Sequence, residues 1–220
     1  MLRMWLKFIV YAIVVTAFLP STAQDDGAFF RAVNLDDERG VRNWLAAGGD
    51  PNRADARGQT ALILAMRDES FKVAAVLLDH PATRIDATNA AGETALMMAA
   101  LKGHLAWVQR LAARGAALRR EGWTPLHYAA SGGGFDVVRW LLDQGVPVDA
   151  PAPNRSTPLM MAAHYGTPSA VKLLLESGAD PTLKNSLGLS AIDFAHQANR
   201  LESAAIIGAF IRGRHPKETW

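Results

Sequence analysis

The side chains with the widest chemical range are six histidines, at positions 80, 104, 127, 164, 196 and 215, in a chain of 220 residues with no cysteine. Without thiols there is no disulfide, no zinc–thiolate cluster and no cysteine nucleophile. Histidine alone can still ligate a metal or relay protons. His164 and His196 are the pair to weigh as ligands, but no acidic residue is placed to complete their set. Gly-x-Ser-x-Gly, a phosphate-binding glycine loop and His-Glu-x-x-His are all missing from the sequence. Gly132-Gly133-Gly134 is glycine-rich, yet no Lys-Ser or Lys-Thr follows it. It reads as a flexible turn. The expectation is therefore no catalytic residue, no metal and no cofactor, in a chain that is not an enzyme. A cryptic enzyme or metal protein using His164 and His196 stands as an alternative.

Charge narrows the partners. Hydrophobic residues make up 50% and charged residues 20% of the chain, an ordinary globular balance rather than that of a disordered chain. Arg3 and Lys7 precede the uncharged apolar run from Phe8 to Phe18. Pro20 and the small residues Ser21-Thr22-Ala23 follow. This order predicts a secretory signal peptide over residues 1–23, cut after Ala23. Met4 to Leu19 is short for a membrane span and carries Lys7. If it stayed uncleaved, the chain would be a membrane-tethered adaptor. Cleavage takes away two of the 23 basic and none of the 21 acidic side chains, which leaves the two signs equal. No basic footprint for nucleic acid remains. Arg212, Arg214, His215 and Lys217 read as a solvated tail over residues 212–220. The expected location is periplasmic or secreted.

The elements that position these residues repeat. Thr60, Thr94, Thr124, Thr157 and Ser190 each open a short apolar run, at separations of 34, 30, 33 and 33 residues. Thr94 to Gly115, Thr124 to Gly145 and Thr157 to Gly178 are each 21 residues apart. Each unit reads as two helices. Thr124 can cap a helix beginning at Pro125, where the missing N–H costs nothing. Val137 with Leu141, and Val138 with Leu142, share one face of a second helix over residues 135–144. Gly145 ends it in a left-handed conformation. One such unit cannot bury its own apolar faces, whereas several stacked units can.

Thr124-Pro125-Leu126-His127-Tyr128-Ala129 matches the ankyrin signature completely, and Gly103-His104-Leu105 and Gly178-Ala179-Asp180-Pro181 match its turns. The chain resembles the ankyrin-repeat family from about Asp25 to Ile211. The resemblance implies an all-α solenoid of about six stacked helix-turn-helix units joined by hairpin loops, spanning residues 24–211. The first and last units are degenerate and suit caps. It also implies internal hydrogen bonds for His104 and His127. Three loops depart from the pattern and are expected to deviate in shape. His80-Pro81 stands where glycine is expected, the unit opened by Thr94 is three residues short, and Arg155 replaces the hairpin glycine before Thr157.

The resemblance further implies a protein partner held on a concave face by a monomer. Carried over position by position, the contact strip comprises Arg57, Gln59, Arg67, Asp68, Glu93, Leu101, Lys102, Trp123, Asn154, His164, Tyr165 and Leu189. Ala91, Glu121, Ser131, Gly132, Ser156 and Leu187 are the remaining positions of the strip. Charges gather early in it and aromatic residues later. Trp123 and Tyr165 are the expected anchors, because aromatic residues dominate binding hot spots. The competing reading of Trp123 is that it packs along its own hairpin.

Overall fold

The computed structural model describes residues 26–132 and 134–214. The expected leader, its cut site and the end of the tail lie outside the described residues. Twelve helices occur among the described residues, in six antiparallel pairs. They are α1 Asp26–Asn34 with α2 Glu38–Ala46, α3 Ala61–Arg67 with α4 Phe71–Asp79, and α5 Ala95–Leu101 with α6 Leu105–Ala113. Next come α7 Pro125–Gly132 with α8 Phe135–Asp143, α9 Pro158–His164 with α10 Pro168–Glu176, and α11 Ala191–Gln197 with α12 Leu201–Arg214. The six-unit all-α solenoid expected from the spacing is what the chain forms. The final helix runs on to Arg214, into the stretch read from sequence as tail. Among the described residues no helix is long and apolar enough to cross a membrane.

Each inner helix from α3 to α11 starts at a hydroxyl residue. The side chains of Thr60, Thr94 and Thr157 accept from the backbone N–H three residues on, at 3.3–3.4 Å. Each thereby satisfies one of the helix's orphan donors. Thr124 differs. Its hydroxyl lies 2.8 Å from Nδ1 of His127, and Nε2 of that ring lies 3.1 Å from the Ser156 carbonyl of the next unit. His127 is 1% exposed, and burial pushes its pKa down to about 4. The internal bond expected of His127 is present, whereas that of His104 is not. The His104 ring stands edge-on to Phe71, and its Nε2 is 3.6 Å from Glu69, too far for a hydrogen bond.

The inner helices stack closely in the order α1, α3, α5, α7, α9, α11, and the outer helices touch less. The tighter packing between units thus lies on the side of the inner helices. Small side chains allow the approach: Ala65, Ala99, Ala100, Ala129, Ala130, Ala162, Ala163 and Ala195 are all fully buried. Glycine allows it where even alanine would not. A Cβ on Gly132 would fall 1.7 Å from the Leu101 carbonyl oxygen, and one on Gly134 would fall 2.9 Å from the Gly103 Cα. The glycine run is thus a place of close approach between units at its two described positions, not a flexible turn. Gly133 lies outside the described residues.

Four hairpins share one bonding pattern. Asp55, Asn89, Ala152 and Asn185 donate to the carbonyls of Gln59, Glu93, Ser156 and Leu189. Arg155 adopts φ +62°, the conformation that glycine takes in its siblings, so this loop keeps the regular shape expected to be lost. The loop before Trp123, three residues shorter, forms no such bond. There the Arg119 guanidinium crosses to the Gly145 carbonyl at 2.7 Å. At His80-Pro81 the helix stops in extended backbone, as a residue before proline prefers. The Thr83 hydroxyl covers the Leu77 carbonyl at 2.5 Å, and Arg114 covers that of Leu78.

Candidate partner-binding face

Three inner helices and the short loop before α7 define the site. α5 contributes Leu101, α7 contributes His127, Tyr128 and Ser131, and Tyr165 directly follows α9. With Trp123 from the short loop they line an open groove of about 530 Å³. Its walls are mostly apolar. Tyr165 is 58% exposed, unusual for so large a ring, and leans at a tilt on His164, ring centroids 4.1 Å apart. Trp123 is half-buried and meets the His127 ring edge-on at 5.2 Å. It both packs along its own unit and walls the groove, so the two sequence readings of this residue describe its two sides.

Tyr128, like His127, is a groove residue that the strip omitted. It sits inside the signature motif and reads there as framework. Its phenol donates to Glu93 Oε1 at 2.9 Å. Burial, then the Glu93 carboxylate, pushes its pKa above the usual tyrosine range, so the phenol stays a donor. A signal was available. The residues four after each opening hydroxyl are Leu64, Met98, Tyr128, Met161 and Phe194. Only here does that position carry a polar tip.

The charged end of the strip is internally engaged. Arg67 holds Asp68 through two bonds of 2.8 Å and also donates to the Gln59 side chain at 2.5 Å. The guanidinium keeps the Asp68 carboxyl below the usual carboxylate range. Lys102 pairs with Glu69 at 3.3 Å. Arg57 and Asn154 lie exposed on hairpin tips, Asn154 also bonding the Ser156 N–H. Leu189 is half-buried at the last hairpin, beside an 81%-exposed Leu187. The structure therefore brings together Leu101, Trp123 and Tyr165, with Glu93 beside them through Tyr128. It sets Arg57, Asn154 and Leu189 on separate hairpins. His164 packs between Tyr165 and Phe194. No cluster of three or more potential metal ligands occurs among the described residues.

Comparison with known proteins agrees with this architecture. A family model described as ankyrin repeats matches residues 29–121, 80–152 and 108–185. The chain is 34% identical over 152 residues to the B-cell lymphoma 3 protein homolog of Mus musculus, covering 66% of this chain and 34% of that protein. It is 31% identical over 152 residues to the nuclear factor NF-kappa-B p105 subunit of Gallus gallus, covering 66% of this chain and 16% of that protein. The chain thus spans about a third or less of the length of these curated relatives. Among solved structures, it is similar to a chain in the complex of the Bd0816 predatory endopeptidase from Bdellovibrio bacteriovorus with the immunity protein Bd3460. The TM-score is 0.70 at 26% identity, over 86% of this chain and 99% of that one.

Proposed function

Because the chain belongs to the ankyrin-repeat family, a family of protein-interaction modules, we propose that it is an exported module that holds a protein partner in the hollow face of its solenoid. The observation that carries this reading is the groove across α5, α7 and α9, with Tyr165 held in the open at its edge. A rigid stack offers that surface preformed, so little ordering cost opposes binding. The order of residues in the first 23 positions supports export. The partner class we favour is an exported enzyme that the solenoid restrains. The likeness to a chain from a complex of an endopeptidase and an immunity protein supports that choice.

The test is affinity capture from the native envelope fraction with wild type and Tyr165→Ala. The exposed ring contributes little to folding, so the variant should melt like wild type and lose the captured protein. Capture unaffected by Tyr165→Ala would place the contact elsewhere. The mass of the mature N-terminus tests export separately: a chain beginning at Gln24 is expected, and an intact Met1 would contradict cleavage.

A further inference from the structure

Glu93, half-buried, adjoins the groove through its bond to the lining residue Tyr128. Its Oε1 accepts from the Tyr128 phenol and its Oε2 from the Asn89 amide at 2.7 Å. Both donors are neutral. Among the described residues no cation pairs with this carboxylate. Arg67 is near enough to feel its charge, but its guanidinium is spent on Asp68 and Gln59. Lys102 is turned to Glu69. An ionised carboxylate offers about four acceptor positions. Glu93 therefore has capacity left beside an apolar cleft.

Filling the cleft changes what Glu93 costs. An apolar side chain from a partner drives water from the walls, which favours binding. The same step strips water from the carboxylate. A desolvated, unpaired charge is heavily penalised, so an apolar occupant without a cation would be selected against. An occupant that brings one turns the penalty into a pair. Arginine suits the place better than lysine, because it can bond the carboxylate in a fork and lie over an aromatic ring.

We propose that the groove takes a partner segment in which a bulky apolar side chain stands next to an arginine or lysine, the apolar group lying among Leu101, Trp123 and Tyr165 and the cation pairing with Glu93. This deepens the protein-binding reading of the same face and rests on it. The test is selection of random dodecapeptides on the full chain, followed by titration of a synthetic enriched peptide. Enriched sequences should place Leu, Phe or Trp beside Arg or Lys, and should lose binding to Tyr165→Ala. Glu93→Gln should weaken the basic peptide about tenfold and flatten its salt dependence. Replacing the peptide's basic residue with glutamine should weaken binding to wild type alike, yet cost little further against Glu93→Gln. This peptide-side change needs no mutant protein to fold.

Tyr165-dependent peptides that are neutral or acidic would overturn the proposal and leave the face reading standing. So would a basic peptide indifferent to both the Glu93→Gln change and its own substitution. If no enriched peptide depends on Tyr165, both fall.

Discussion

At the scale of single residues, His127 makes the fold sensitive to acid. Its ring is neutral when buried, with a pKa of about 4 against an ordinary 6.5. Between those values the unfolded chain binds a proton that the native chain refuses. Stability is thus full above pH 6.5 and falls as pH drops toward 4, by at most about 3 kcal/mol from this group. Thermal melting between pH 7 and 4 should show that decline, and His127→Gln, though less stable at neutral pH, should show a shallower one. Parallel curves would mean that another group controls the effect. Arg155 offers a second test. Its positive φ disfavours a side chain bearing a Cβ. Arg155→Gly should raise stability by up to about 1 kcal/mol, read as an upward shift in Tm. A lower Tm would mean that the arginine side chain contributes more than its backbone strain costs. The arginine substitution was visible in the sequence, but the retained loop shape was not. It depends on neighbouring units holding the hairpin, which no local rule reports.

At the scale of elements, the positions of the helices were legible and their distances were not. The regular spacing of Thr94, Thr124 and Thr157 from their glycines located both helices of each unit. It could not say how near one unit lies to the next. Gly132 and Gly134 were read as looseness because glycine alone does not distinguish a free turn from a crowded one. The structure separates the two by what a Cβ would meet. Gly132→Ala should therefore destabilise by more than about 2 kcal/mol, since the carbonyl of Leu101 is backbone and cannot step aside. Gly178→Ala should cost nearer 1 kcal/mol, because only its φ of +97° is unfavourable and the space around it is open. Urea denaturation of the two variants compares them, and equal losses would refute the crowding at Gly132. The candidate site was half legible for the same reason. Leu101, Trp123 and Tyr165 came from positions in the motif. Tyr128 was missed because its rotation on α7 decides whether it supports the core or walls the groove.

At the scale of the molecule, stability is distributed in a line. Each helix packs substantially only on its own partner and on the units before and after. The ends are less fastened than the middle. Among inner helices, α1 buries Phe29, Ala32 and Val33, whereas α5 buries Ala95, Leu96, Met97, Met98, Ala99 and Ala100. Hydrogen–deuterium exchange should accordingly reach the amides of α1 and α2 well before those of α5 and α7. Uniform protection from end to end would indicate a single all-or-none unit instead. The groove falls on α5, α7 and α9, the well-fastened centre, so the terminal units can open without disturbing it.

That neighbour-only packing has a mechanical side. Pulled by its two ends, the molecule behaves as springs coupled in series, each carrying the same tension. The weakest coil, α1 with α2, gives first. Every later coil that yields pays out its own slack, on the order of 110 Å for a unit of about 33 residues drawn straight. A tether made of this chain would lengthen in steps under load while its middle stayed folded.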